Sequence, residues 1–150
     1  MSTNCQLTTM VHVLTLLAGA DKPLSSAWIA GSVNTNPVVI RKVIGQLRAA
    51  GLVETLPGST GGARLKQDAG QITLGDVYQL VKADTFFGLH PNEPNPYCPV
   101  GRNIQGVLVD VFDQMDELIA GALAEITIAD VVQRVAAQES ERRGKHESSS

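Results

Sequence analysis

Apolar residues recur along much of the chain at the three- and four-residue spacing of helices with one buried face. Residues 6–19 show this pattern and predict a first helix, which Gly19 would end. A second, short helix is expected over residues 25–33, with Trp28 and Ile29 as candidates for the core. The chain is therefore expected to begin with two helices separated by a short connection.

A third helix is predicted from Pro37 to about Ala50. Asn36 can cap its start, and Gly51 suits its end. Its apolar residues share one face: Ile40, Val43, Ile44 and Leu47. The opposite face is narrow and holds small and basic residues: Val38, Arg41, Lys42, Gly45 and Ala49. Such a face suits the major groove of DNA, about 12 Å wide, where small residues allow close approach and cations meet phosphates.

Residues 52–66 predict a β-hairpin. Two short strand-like runs, 52–56 and 63–66, flank a turn that contains three glycines. Arg64 stands beside the tip, and Lys66 lies just behind it on the same face, because side chains alternate along a strand. Three helices followed by a hairpin, or wing, are typical of a winged helix-turn-helix.

The second half of the chain predicts further helices around a loop. Thr73 and Asp76 resemble a capping box that opens a helix through Lys82. Four of the seven prolines then fall within 84–100, which predicts a loop. A long helix is expected over residues 101–123. Its apolar stripe consists of Ile104, Val107, Leu108, Val111, Met115, Leu118, Ile119 and Ala122.

The predicted fold is mainly α with a small β-hairpin wing, a winged helix-turn-helix joined to a long dimerisation helix. The DNA-binding domain spans residues 1–83, and a sensor-type, proline-rich loop spans 84–100. The dimerisation helix and one or two further helical turns occupy 101–137. Residues 138–150 are polar and charged and are expected to form a disordered tail. The long stripe is assigned to a two-chain interface because the chain is small and the helix is long.

Composition narrows the class of protein. A chain of 150 residues with 43% hydrophobic and 18% charged residues suits a globular protein. No apolar run is long enough to span a membrane, and the start lacks the pattern of a secretory signal. Two cysteines, Cys5 and Cys98, do not make a disulfide framework. A cytoplasmic protein without a membrane partner is therefore expected.

The net charge of −3 is unevenly distributed. Residues 1–66 carry six basic and two acidic residues and have a net charge of +4. Residues 67–150 carry six basic and thirteen acidic residues and have a net charge of −7. The asymmetry indicates a basic working surface joined to an acidic body.

Several segments in order resemble one bacterial regulator family. They are Asn36–Ile44, Leu47, Ala50–Val53, Gly58–Leu65 and Ile72–Tyr78. Together they resemble the Rrf-type family of winged helix-turn-helix transcription regulators, over residues 5–135. The resemblance implies a homodimer whose long helices cross and whose recognition helices enter successive major grooves of a pseudo-palindromic operator. The positions it implies as DNA contacts are Thr35, Asn36, Val38, Arg41 and Lys42 on the helix and Thr60, Gly61, Gly62 and Arg64 on the wing. It also implies that Arg64 enters the minor groove.

One departure from the family is informative. Members that bind an iron–sulfur cluster carry three closely spaced cysteines before the long helix, whereas this chain has only Cys98 there. The chain is similar to the cluster-less, YwnA-like branch, and no cofactor is expected. Cys98 is a candidate redox sensor, because a helix N-terminus favours the thiolate. The alternative is a small, partly buried residue that holds the proline-rich loop.

The leading function is a sequence-specific transcription repressor that binds double-stranded DNA. The alternative is a winged-helix protein-interaction or adaptor module that has lost operator binding. An enzyme is not expected, because no catalytic triad, phosphate-binding glycine loop or metal-ligand spacing is present in the sequence. Catalytic and metal residues are therefore assigned to none, and the small-molecule effector is not legible from the sequence.

Overall fold

Helices and one hairpin make up the regular structure of the computed structural model, which describes residues 3–81 and 88–149. The helices are α1 (Thr3–Gly19), α2 (Ser26–Val33), α3 (Pro37–Ala49), α4 (Leu74–Val81), α5 (Pro99–Ala124) and α6 (Ile128–Ser148). The strands β1 (Val53–Leu56) and β2 (Gly62–Leu65) lie between α3 and α4. The mainly α fold with a small β-hairpin wing is confirmed.

Local capping explains where α2 and α3 begin and end. The Ser25 hydroxyl accepts a hydrogen bond from the Trp28 amide at 3.2 Å, so α2 starts at Ser26. Asn34 ends α2 in the left-handed conformation, with φ 63° and ψ 53°, which asparagine tolerates better than most residues. Two residues later Asn36 caps α3. The turn between the two helices is therefore fixed by the sequence 34–36.

The core lies where α1, α2, α3 and α4 meet the hairpin. Its large, fully buried side chains include Met10, Leu14, Ile29, Ile40, Leu47, Ile72 and Ile128. The prediction that Trp28 belongs to this core is wrong, since 55% of that residue is exposed. The short helix α2 has one buried face, occupied by Ile29 and Ala30, and Trp28 points away from it.

The hairpin is tied to the connection between α1 and α2. Its register pairs Val53 with Leu65, Glu54 with Arg64, Thr55 with Ala63 and Leu56 with Gly62. Leu24 forms an isolated bridge to Ala63, with reciprocal backbone hydrogen bonds of 2.9 and 2.8 Å. The bridge holds the base of the wing against the connection between α1 and α2.

The starts of α4 and α6 lie side by side, and each carries a capping box. The predicted box at Thr73 and Asp76 is confirmed by reciprocal hydrogen bonds of 3.0 Å. Thr127 and Asp130 form a second box at the start of α6. Thr73 and Thr127 pair in an isolated bridge. The beginnings of α4 and α6 are therefore joined backbone to backbone.

The C-terminal half differs from its predicted boundaries. Helix α5 begins at Pro99 instead of 101, and residues 88–98 form neither helix nor strand. The rest of the predicted loop, 84–87, and the predicted helix end at Lys82 lie outside the described residues. Among residues 3–81 and 88–149, no helix is both long and apolar enough to cross a membrane.

The predicted disordered tail is wrong over residues 138–148, because α6 continues through Ser148. The segment contains no proline and consists largely of residues with good helix propensity. Glu139 and Arg143 add an ion pair one turn apart, with 3.2 Å between Oε1 and Nε. Polar composition is shared by solvated helices and disordered tails, so it did not distinguish them.

Candidate nucleic-acid interface

Helix α3 separates buried and exposed residues as its spacing predicts. Ile40, Val43, Ile44 and Leu47 are buried. Val38 is 64% exposed, and Arg41 and Lys42 are exposed as well. The exposed face therefore offers one apolar side chain and two cations to a partner, beside a helix start that carries no acidic residue.

Thr35 and Asn36, the two residues before α3, form hydrogen bonds that shape the turn between α2 and α3. The Asn36 side-chain oxygen accepts a hydrogen bond from the Val38 amide at 2.8 Å, which leaves its amide nitrogen for an outside partner. Thr35 is half-buried, and its backbone amide donates to the Ala30 carbonyl at 3.0 Å. Both lie beside the exposed face of α3, but a substitution at either would also disturb the turn.

Arg64 lies on the exposed side of the hairpin and is paired there. Its Nε lies 2.5 Å from Oε1 of Glu54, its cross-strand neighbour. The two side chains are 52% and 37% exposed. Water screens an ion pair of this exposure. The pair therefore orients the guanidinium but adds little to the stability of the fold.

The glycines of the wing have a backbone reason to be glycine. A Cβ on Gly61 would collide with the carbonyl oxygens of Leu56 and Pro57. Gly62 has φ 143°, and a Cβ there would collide with the backbone of Leu24. These two positions shape the wing tip, where Thr60 is exposed. A DNA contact at Gly61 or Gly62 would be made by the backbone.

A cleft of about 370 Å³ separates α3 from the hairpin. Arg41 and Arg48 line it from α3, and Thr55 lines it from β1. Nη1 of Arg48 donates to the Thr55 hydroxyl at 3.2 Å. Two guanidinium groups on one cleft can hold a phosphate oxygen between the recognition helix and the wing.

The prediction from sequence did not include Arg48, Thr55 or Ser26, which also lines this cleft. A signal for Arg48 was present, because it lies seven residues after Arg41 and so on nearly the same face of α3. Nothing in the local sequence placed Ser26 near the hairpin. Its position follows from the bridge between Leu24 and Ala63.

Cys98 lies at the N-cap of α5 with an exposed side chain. The backbone N–H groups of Gly101 and Val100 lower the pKa of its thiol below the ordinary value. They act as dipoles directed towards the sulfur, since no side-chain capping hydrogen bond closes there. The exposure does not match a partly buried residue that holds the loop.

The described residues do not form a metal-ligand cluster. Within 3–81 and 88–149, no three side chains of histidine, cysteine, aspartate or glutamate cluster in a way that could hold a metal ion. Cys98 is the one cysteine of the proline-rich loop. The donors that a cluster needs are therefore not assembled in this part of the chain.

Helix α5 leaves most of its apolar stripe uncovered. Its exposed large apolar residues are Val100, Ile104, Val107, Val109, Val111, Met115 and Leu118. Asp116 is its one buried residue within the described chain, and the Tyr78 hydroxyl donates to it at 3.3 Å. Burial and the nearby carboxylate both raise the pKa of Tyr78. An apolar surface of this length on an exposed helix marks an interaction face.

Comparison with known families and sequences gives a consistent result. A family model described as "Rrf2: Iron-dependent Transcriptional regulator" matches residues 3–134. The protein YwnA of Bacillus subtilis (strain 168), named among the HTH-type transcriptional regulators, is 40% identical over 130 residues. That alignment covers 86% of this chain and 96% of YwnA.

Solved structures share the fold. A transcriptional regulator from Lactobacillus plantarum is 25% identical, with a TM-score of 0.75 over 95% of this chain and 97% of that one. A protein described as DNA-binding is 36% identical, with a TM-score of 0.68 over 84% of this chain and 97% of that one. These proteins therefore share the fold over most of this chain, including the three helices and the wing.

Proposed function

The chain belongs to the Rrf2 family of transcriptional regulators, and from that premise we propose that it binds a pseudo-palindromic DNA operator as a homodimer and represses transcription. The resemblance inferred from the sequence motifs, including the YwnA-like branch, is confirmed. The prediction that the chain is not an enzyme is also confirmed, because its relatives are transcriptional regulators.

The exposed face of α3 beside the wing is the observation that carries the DNA-binding proposal. Val38, Arg41 and Lys42 face outward, and Arg64 stands on the adjacent hairpin. In the proposed complex α3 lies in the major groove, and the wing reaches the neighbouring minor groove. The cations supply sequence-independent affinity through phosphates, and the α3 side chains that reach base edges supply selectivity.

The exposed stripe of α5 supports the homodimer. A second copy of α5 would cover side chains such as Val107, Val111 and Leu118, which otherwise remain in water. A two-fold axis through this interface presents two α3 helices to one side of the duplex. Half-sites about one helical turn, roughly 34 Å, apart would match such a dimer.

We further propose that the thiol of Cys98 switches operator binding. It is exposed, its pKa is lowered, and it sits at the first turn of the proposed dimerisation helix. Attack of the thiolate on peroxide would form a sulfenic acid and release hydroxide. The added bulk and polarity at the start of the proposed dimerisation helix would change the spacing of the two α3 helices. No iron–sulfur cluster takes part in this proposal, because the whole chain holds two cysteines. A regulator of this kind would act in the reducing cytoplasm.

The deciding experiment is a titration of the promoter upstream of the chain's own gene, followed by gel shift. Wild type and Cys98→Ser are compared, each reduced and peroxide-treated, at two salt concentrations. Selective, salt-sensitive binding that oxidation abolishes only in wild type supports a thiol-switched repressor. Selective binding that oxidation does not change would support the DNA-binding regulator and contradict the thiol switch. Absence of selective binding in every state overturns the operator proposal in favour of a protein-interaction module.

A further inference from the structure

A second surface, away from α3 and the hairpin, has the form of a small-molecule site. Helices α1, α2 and α6 and the connection after α1 surround a groove of about 970 Å³, which we call the α1–α6 groove. Its apolar lining includes Leu16, Trp28, Val132 and Val135. Ligand sites in proteins are concave, chiefly apolar and of about 300–1,000 Å³, so the groove falls within that range.

Two apolar side chains of the groove are left largely in water. Trp28 on α2 is 55% exposed and Val135 on α6 is 56% exposed, and both line the groove. An indole is usually buried for most of its surface, and exposed apolar patches of this kind mark binding sites. A planar molecule in the groove would cover both side chains.

Polar groups in the groove define the chemistry of the occupant. His12 Nε2 and Ser32 Oγ lie 3.1 Å apart and join α1 to α2 at one wall, where they can share a hydrogen bond with a ligand. Asp21, Lys22 and Glu139 also line the groove and give it a formal charge of −1. An anion would meet this net negative charge and a cation would meet Lys22, so an uncharged molecule avoids both repulsions.

We propose that the α1–α6 groove binds an uncharged, planar apolar molecule that carries one hydrogen-bonding group, and that this ligand is the effector. Trp28 connects the site to the DNA-facing surface, because it also lines a smaller pocket with Thr60 and Gly61 of the wing tip. On the other side, α6 follows directly after α5, the proposed dimerisation helix. A ligand that contacts Trp28 and Val135 could thus change the position of the wing and the geometry of the proposed dimer.

Ligand binding can be tested without DNA, so its failure is distinct from failure of operator binding; only the effector role rests on the proposed function. The probe is N-phenyl-1-naphthylamine, an uncharged planar amine that fluoresces in apolar sites. Trp28 is the chain's single tryptophan, so energy transfer from it to the probe reports proximity to the groove. The full chain should bind one probe molecule saturably, with loss of Trp28 emission.

Variants locate the site. Val135→Glu should weaken probe binding by about tenfold or more, because it places a carboxylate in the apolar wall, and Ala136→Glu gives a second test on the same wall. Leu89→Glu adds the same charge at an exposed apolar residue outside the groove and should bind the probe as wild type does. Trp28→Phe should abolish the energy transfer and weaken probe binding, because the smaller ring covers less of the probe.

Several results would overturn the site. These are unsaturable uptake, equal binding by wild type and both glutamate variants, and preference for the anionic probe anilinonaphthalene sulfonate. Binding only by the Leu118→Glu monomer would also overturn the site. That result would mean that a second copy covers the groove in the intact dimer. Saturating probe should shift operator affinity at least threefold in wild type and not in Val135→Glu. Unchanged affinity would overturn the effector role.

Discussion

Arg64 and Glu54 face each other across the hairpin, with 2.5 Å between the arginine Nε and the glutamate Oε1. The side chain proposed to enter the minor groove is therefore already paired in the DNA-free chain. Glu54 is one of only two acidic residues in the first 66 positions. An exposed ion pair is worth about 0.2–1 kcal/mol, so exchange of the carboxylate for DNA costs little. In the proposed complex Glu54 would weaken the DNA contact of Arg64, which it orients in the DNA-free chain.

Substitution of Glu54 by Gln is expected to tighten DNA binding by roughly threefold to tenfold. The change releases the guanidinium and removes a negative charge that repels phosphates, while it keeps the shape of the side chain. Arg64→Ala should weaken binding to all sequences and lower the salt slope by about 1. Fluorescence anisotropy on the operator and on an unrelated duplex, each at several salt concentrations, measures these effects.

The double variant decides whether the two residues act together. If Glu54 works through Arg64, Glu54→Gln should bring a smaller gain in the Arg64→Ala background. Equal gains in both backgrounds would show a general charge effect. Lower affinity in Glu54→Gln alone would contradict a moderating role and assign the carboxylate to holding the wing.

Arg48 is expected to contact a phosphate through the cleft between α3 and β1. Arg48→Ala should weaken binding by about tenfold, since it removes a charge-assisted contact. Arg102→Ala, which removes a cation from exposed α5, is the matched control and should change affinity little. Unchanged operator affinity in Arg48→Ala would limit Arg48 to its hydrogen bond with Thr55.

Much of the recognition unit was predictable because its signals are local. Asn36, Pro37 and Gly51 mark the ends of α3 through capping and backbone preferences that need no distant neighbour. The same is true of the capping box at Thr73 and Asp76. The exposed face of α3 follows directly, because a helix with known ends and a known buried stripe has only one other side.

The features that were missed depend on neighbours distant in sequence. Trp28 is a large apolar residue of the kind found in cores, but Ile29 occupies the buried face of α2 and Trp28 remains 55% exposed. The pair of Glu54 and Arg64 requires the hairpin register, which a loop with three glycines leaves open. The length of α6 was hidden because a polar helix lacks an apolar period.

Leu118→Glu is expected to dissociate the proposed homodimer without unfolding the chain. Leu118 is 74% exposed within α5, so the charge meets water in a monomer but would be buried between two copies. Sedimentation velocity should show a shift from dimer to monomer, and operator affinity should fall at least tenfold as bivalent binding is lost. Gln133→Glu, at an exposed position of α6, is the matched control and should remain dimeric. A dimeric Leu118→Glu protein would move the interface away from this part of α5.

The thiol of Cys98 should react at lower pH than an ordinary cysteine. Because its pKa is lowered in the folded chain, the thiolate forms, and reactivity rises, below the usual value of about 8.5. The rate of alkylation by iodoacetamide against pH, in a Cys5→Ser background, gives the midpoint. In urea the helix N-terminus is lost and the midpoint should move up. A folded midpoint equal to the urea value would contradict activation by the α5 amides.

The hydrogen bond between Tyr78 and Asp116 should hold α5 against α4. Tyr78→Phe leaves a buried carboxylate without this donor, and the free energy of unfolding is expected to fall by about 1–3 kcal/mol. Asp116→Asn should cost less, because the amide oxygen still accepts from the hydroxyl. Chemical denaturation of the three proteins measures the difference, and equal stability of Tyr78→Phe and wild type would refute the role of the bond.

The same pair gives stability a dependence on alkaline pH. The pKa of Tyr78 is raised in the folded chain by burial and then by Asp116, so the unfolded chain releases its proton first as pH rises. The stability that favours the neutral phenol is complete below about pH 10 and is lost as pH rises from there towards the folded pKa. In Asp116→Asn the carboxylate's contribution disappears while burial remains. An ultraviolet titration of the phenol should therefore show a midpoint that falls from the wild-type value but stays above 10, about the ordinary pKa of tyrosine. An unchanged midpoint would show that Asp116 does not act on the phenol.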